Sequence, residues 1–216
     1  MRLALFVFWV GWITTSLPIA AQDLPLSRFG IDTTTTLPEG LPVGMYAPLF
    51  AASDADGNQT ALSEILKQSS AVVVFVQGRW SRHDRKFLAA LSDSLESIST
   101  EASQVIVVSS EKPSELAGLR DRYPSLKIVS DSDGSIVQNY DVAYTVTKAH
   151  ARRYNLFNRA KLSSNQVAPE KLPVPAVYTI AASGRITWRY FNFDRRQRPS
   201  VAEIAEAVKG IANERR

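Results

Sequence analysis

Residues Ala71–Gln77 read AVVVFVQ, an apolar run broken only at its last position. Valine favours extended backbone, and a strand that is apolar at consecutive positions must be covered on both faces. The run therefore calls for the centre of a sheet layered between helices and excludes a sheet with one wet face. Two more runs of this kind follow, QVIVVSS at 104–110 and LKIVSD at 126–131. Between the first two, Phe87, Leu88, Leu91, Leu95 and Ile98 recur at helical spacing, so a helix is expected from about Ser81 to Ser99. After the second, KPSELAGLRDRY predicts a helix with Pro113 near its start and Ser114 as a cap. Strands alternating with helices join by right-handed crossovers into a mostly parallel sheet.

The flanks complete the pattern. APLFAASDADGNQTALSEIL predicts a short strand, a turn at Asp56-Gly57 and a helix from about Ala61. DSDGSIVQNYDV predicts a turn and a short helix. PVPAVYTIAASGRITWRYF predicts a hairpin, with strands Ala176–Ala181 and Ile186–Tyr190 joined at Ser183-Gly184. In the closing segment, Ser200 and Glu203 form a capping-box pattern ahead of a helix. The expected class is α/β, a mixed central sheet with helices on both faces. A chain of 216 residues supports one core of this kind.

The first residues, MRLALFVFWVGWITTSLPIAAQD, have one Arg, an apolar run from Leu3 to Ile13, then Pro18 and small residues. This is the three-part layout of a secretory signal peptide, 1–21, leaving Gln22 first. The alternative, a retained anchor, has a run short of the ~20 residues that a span needs. The expectation is an exported protein, periplasmic or secreted. Residues 22–42, rich in Thr, Pro and Leu, read as an extended lead-in or linker, with the folded domain over 43–213. The chain has no cysteine, which excludes disulfides, thiolate catalysis and cysteine-ligated metals.

From 145 to 172 the pattern lapses. The stretch holds Lys148, Arg152, Arg153, Arg159, Lys161 and Lys171 against Glu170. With Tyr154 and Phe157 interleaved, it reads either as a basic insertion meeting an anionic membrane surface or as a solvated helix with its rings turned inward. Nucleic acid is not an expected partner for an exported chain.

Five pieces, VGMYAPLF, DADGNQTALSEIL, VVVFVQGRWSRHDRKFLAAL, IVSDSDGSIVQNYDV and PVPAVYTIAASGRITWRYF, occur in one order. That order resembles the thioredoxin superfamily and, more narrowly, the peroxiredoxin-like redoxins of the alkyl hydroperoxide reductase/thiol-specific antioxidant group. The resemblance implies a thioredoxin-like fold from about Val43 to Ile211. It places the working sulfurs at Ser81 and Asp84, with Ser81 where the attacking cysteine would stand. It implies a cis-proline beside the turn, at Pro175 or, as second choice, Pro173, and Arg198-Pro199 fits its ending. The family's activity would be peroxidase or thiol–disulfide oxidoreductase. A serine hydroxyl stays protonated near neutral pH and cannot take a thiolate's part. The expectation is thus a redoxin-like protein without thiol catalysis and without cofactor. It would bind a protein or small anionic ligand around Trp80, Ser81, Arg82, His83, Asp84 and Pro175.

Other chemistries fit less well. Ser81, His83 and Asp84 suggest a hydrolytic triad, yet on a helix i+2 points away from i. The simpler assignment has Ser81 capping the helix, Asp84 in its first turn paired with Arg79 or Arg85, and His83 exposed. The only histidines, His83 and His150, lack ligand spacing, so no metal is expected. An enzyme using Ser81 as nucleophile or Asp84 as acid or base remains an alternative, as does a structural subunit of an envelope complex.

Overall fold

A computed structural model describes residues 26–98, 103–152 and 171–214. The main sheet has five strands in the order β5-β4-β3-β8-β9. These are β3 (Ser70–Val76), β4 (Ser103–Ser109), β5 (Lys127–Ser130), β8 (Ala176–Ile180) and β9 (Ile186–Phe191). β3 and β4 run parallel, as do β4 and β5, while β8 pairs antiparallel with both β3 and β9. Two small antiparallel ribbons stand apart, β1 (Ala51–Ser53) with β2 (Gln59–Ala61) and β6 (Ala143–Thr145) with β7 (Lys171–Pro173). The class is the expected one, a mixed thioredoxin-like sheet between helices.

β3 is buried at every position, as its apolar run requires. Its alternate residues divide between two cores. Val73 and Phe75 pack with α1 (Leu62–Gln68) and α5 (Ser135–Asn139) on one face. Val72, Val74 and Val76 pack on the other with α2 (Arg82–Asp93), α4 (Ala117–Arg122) and the closing helix α6 (Val201–Glu214). The predicted long helix ends early, with Asp93, and a single turn α3 (Leu95–Ile98) follows. The predicted cap of α6 is present: the Glu203 amide donates to Ser200 Oγ at 3.2 Å, and the Ser200 amide donates to Glu203 Oε2 at 2.7 Å.

The lead-in is not a free linker. From Leu26 onward it packs on the domain: Phe29 and Ile31 are buried, and Ile31 bridges to Val146. The Gly40 amide donates to Asp141 O at 2.9 Å, and the Leu41 amide donates to the Tyr178 hydroxyl at 3.1 Å. At Gly40, with φ +68°, a Cβ would stand 2.8 Å from the Tyr178 oxygen, so a side chain does not fit. Further on, Gly44 and Met45 exchange backbone hydrogen bonds with Ile186, and Arg189 donates to the carbonyls of Glu39, Gly40 and Leu41. Residues 44 and 45 thus pair the backbone of Ile186 at the start of β9, and the Arg189 side chain ties the lead-in's carbonyls to the same strand.

Residues 1–21, with the expected signal peptide, lie outside the described residues, as do Arg153, Arg159 and Lys161 of the basic stretch. Lys148 and Arg152, on a helical segment at 148–152, are exposed. The stretch is held at its base by the β6–β7 ribbon, which the sequence pattern did not predict. The cis-proline expectation is not met: no described peptide bond is cis, so the bond before Pro175 is trans. Trans is the favoured form by about 0.5–1 kcal/mol, and the local pairing suits it. The Val174 amide donates to Val142 O at 2.8 Å and Pro175 O accepts from the Asn192 amide at 3.2 Å. Pro175 is itself buried between β7 and β8, so it does not line an open groove.

Candidate functional site

β3 ends at Val76, and Gln77–Ser81 turn the chain into α2 at the carboxyl end of the sheet's parallel strands. Ser81 is the N-cap of α2: its hydroxyl accepts from the Asp84 amide at 3.2 Å. Its own amide donates to Gly78 O at 3.1 Å. The hydroxyl therefore faces Asp84 and not the His83 ring, and the triad does not form. Trp80 is partly buried, packed against a small third core that the lead-in and the β6–β7 ribbon build from residues such as Phe29, Tyr144 and Leu172.

Asp84, not Ser81, is the centre of the turn. It is fully buried. Its Oδ2 accepts from the Gln77 amide at 2.8 Å and the Gly78 amide at 3.4 Å, which ties the end of β3 to the first turn of α2. Its Oδ1 is paired with the Arg198 guanidinium. The expected partners, Arg79 and Arg85, are used elsewhere. Arg79 pairs with Glu111 at 3.2 Å, and Arg85 donates to Arg79 O. Arg198 is held in turn by the carbonyls of Arg195 and Gln197 at 2.8 and 2.7 Å, and it lies over the Phe87 ring at 5.9 Å.

The side chain of Gln77 fastens the turn to the insertion's base. Its Nε2 donates to the Tyr144 hydroxyl at 3.0 Å and to Pro173 O at 3.3 Å, one on β6 and one on β7. Its Oε1 is buried without a hydrogen-bond partner.

The rim of the site is basic. Arg82 is exposed and His83 half-buried. Burial, then the nearby Arg198 and Arg195, hold the His83 imidazole below its ordinary range. Arg195 Nη1 lies 3.2 Å from His150 Nε2, so Arg195 stands beside both histidines of the chain. The fold brings His150 to this region by seating its ring on Gly30. No three His, Asp or Glu side chains gather into a metal-holding group among the described residues. Asp194 does not neutralise the rim, since Arg196 takes both of its oxygens.

Behind the turn sits Glu111, just past the end of β4. Its Oε2 accepts from the Arg79 amide at 2.8 Å, and burial pushes its carboxyl up to about 7. Gly78, at φ +130°, lies so close that a Cβ would come within 2.6 Å of the Glu111 carboxyl carbon. Further along the same sheet edge, Asp131 is buried and pushed up to about 6, yet its oxygens accept from the Ile136 and Val137 amides at 2.9 Å. It caps α5 and lines a hollow of about 310 Å³ with Ser110, Asp133, Gln138 and Lys171. Arg195 and Glu111 have no local sequence signal. Arg198 had one, the Arg-Pro pair before the last helix.

A family model described as the AhpC/TSA family matches residues 43–189. No curated protein matches the sequence. Among solved structures, the chain is similar to a peroxidoxin from Mycobacterium tuberculosis, at 13% identity and TM-score 0.58, over 82% of this chain and 99% of that one. It is similar to a peroxiredoxin-like protein from Aquifex aeolicus, at 16% identity and TM-score 0.62, over 82% and 91%. It is also similar to a thiol peroxidase from Chromobacterium violaceum, at 15% identity and TM-score 0.57, over 83% and 93%. At such identities the likeness speaks for the fold alone.

Proposed function

Since the chain belongs to the AhpC/TSA family and has no cysteine, we propose that it is an exported redoxin-like protein that has left thiol catalysis and acts by binding. The ligand class is a small anion, or an anionic group presented by a partner protein, taken up at the rim of the old redox turn. The observation that carries this reading is the Asp84–Arg198 pair: one of the two positions assigned to sulfur now holds a buried, ion-paired carboxylate. A group so enclosed cannot attack a peroxide or a disulfide. The cations around it, Arg82 and Arg195, carry the rim's charge toward solvent beside the His83 imidazole. Such exposed charge attracts anions and is screened within ~10 Å at 0.1 M salt. Lys148 and Arg152, with Arg153, Arg159 and Lys161 further along the sequence, would add a weak contact with an anionic membrane surface.

Calorimetric titration with inorganic phosphate and with sulfate tests the reading. Expected is saturable binding that weakens with salt and is reduced by Arg195→Ala or Arg82→Ala. No binding at low salt, or binding indifferent to both substitutions, contradicts it. The family's activity is tested on the same sample: peroxide consumption with a thiol reductant is expected to stay at the buffer rate. Export is tested by intact mass of envelope-purified protein, with Gln22 expected as the first residue.

A further inference from the structure

We infer that Glu111 is a proton-controlled latch on the turn: as a carboxylate it pairs with both the amide and the guanidinium of Arg79, and protonation ends the ion pair and changes the setting of the Trp80 segment. The inference does not rest on anion binding at the rim. Its geometry is a clamp with few other uses. Glu111 is 8% exposed and sits where β4 leaves the sheet, with its own backbone fixed on both sides. Its amide donates to Ser109 Oγ at 3.3 Å, and its carbonyl accepts from Ser130 Oγ at 2.7 Å. The side chain then reaches the turn at two points, the Arg79 amide through Oε2 and the Arg79 guanidinium through Oε1. Gly78 leaves no space between the carboxylate and the turn's backbone.

Charged groups face Glu111 from each neighbouring element. Arg79 on the turn favours the carboxylate. Glu115 on the 3₁₀ turn Pro113–Glu115 and Asp84 on α2 both oppose it, in the same direction as burial. One cation against two acids and a dry setting makes the charge marginal, which is why the carboxyl titrates near neutrality. Protonation removes the ion pair with the guanidinium and weakens the bond to the Arg79 amide, since a charge-assisted hydrogen bond is about twice as strong as a neutral one. Trp80, one residue on, is the natural reporter.

Fluorine NMR of the fluorotryptophan-labelled protein tests this, with the Trp80 resonance assigned by its loss in Trp80→Phe and Trp188 on β9 as internal control. Expected is a shift of the Trp80 resonance with a midpoint of about 7, the value to which burial raises Glu111. The shift should survive His83→Gln, vanish in Glu111→Gln, and move to higher pH in Arg79→Gln, where the favouring cation is gone. The Arg79 variant decides the matter even if Glu111→Gln does not fold. A Trp80 resonance that is flat across this range, or that titrates alike in Glu111→Gln, or whose midpoint ignores Arg79→Gln, overturns the latch.

Discussion

Asp84 and Arg198 stand 114 positions apart in the chain and meet as a buried ion pair, one on the first turn of α2 and the other just before α6. The carboxylate is fully enclosed, and the guanidinium side chain is 10% exposed. Removing charges from water is costly, and a buried pair repays that cost only when its remaining bonds are made. Here Asp84 also takes the Gln77 amide, and Arg198 also reaches two carbonyls, while Arg198 Nε stays buried without a hydrogen-bond partner. The pair therefore joins three elements, the end of β3, α2 and the approach to α6.

Asp84→Ala is expected to destabilise the fold by about 3–5 kcal/mol, since it strands a buried guanidinium and the Gln77 amide. Asp84→Leu combined with Arg198→Met is expected to cost less than either single change, because no charge is left unpaired. Denaturant unfolding of the three variants is the check. A double variant as unstable as the sum of the singles would mean that the two residues act independently.

Much of this architecture was legible in local sequence. The AVVVFVQ run fixed β3 as a two-sided central strand, Ser81 was readable as the cap of α2, and Ser200 with Glu203 as the cap of α6. Those signals act over a few residues. The centre of the site was not legible in the same way. Asp84 and Ser81 both stand out in the sequence, but local spacing offers Asp84 only its neighbours, while the fold supplies Arg198 from across the chain. Glu111 reaches Arg79 over 32 positions, a contact that no spacing rule announces. The lead-in shows no period because it is neither helix nor strand over most of its length and anchors through single buried side chains such as Phe29 and Ile31. Pro175 was assigned by resemblance, and its trans, buried setting follows from the β7-to-β8 pairing around it.

Gly78→Ala is expected to lower stability by about 1–3 kcal/mol, as a strained backbone position does. The cause is twofold: φ of +130° disfavours any side chain, and the new Cβ would press on the Glu111 carboxyl. Thermal unfolding measures it. If the loss is due to the carboxyl contact, Glu111→Ala in the same chain recovers part of it. An unchanged midpoint in Gly78→Ala would show that the turn is not built as described.

Stability should fall as pH rises through neutrality, on account of Glu111. Its folded carboxyl is raised from 4.5 to about 7, so between those values the folded chain binds more protons than the unfolded one. The contribution is complete below 4.5 and lost as pH climbs through about 7. The shift of 2.5, at about 1.36 kcal/mol for each pH unit, gives an upper limit of about 3 kcal/mol. Glu111→Gln is expected to flatten this part of the profile and to be more stable than the parent at pH 8. A mutant profile that keeps the full slope would assign the slope to other groups.

Ser81→Ala removes one accepted hydrogen bond at the start of α2 and is expected to cost about 1 kcal/mol. Equilibrium unfolding measures it. A loss several times larger would show that the hydroxyl does more than cap the helix.

The central claim is that the turn still has the frame of a site built to hold a negative atom, and that Asp84 now supplies that atom in unreactive form. Asp84→Cys places the chain's only thiol at that point, beside Arg198, at the N-terminus of α2 and under the Gln77 amide. Each of these favours a thiolate, against the raising effect of burial. The direct measurement is the ultraviolet thiolate absorbance of Asp84→Cys as a function of pH. Ionisation is expected well below the free-thiol value of ~8.5, moving upward when Arg198→Met is added. Ionisation at or above the free-thiol value, unaffected by Arg198, would contradict it.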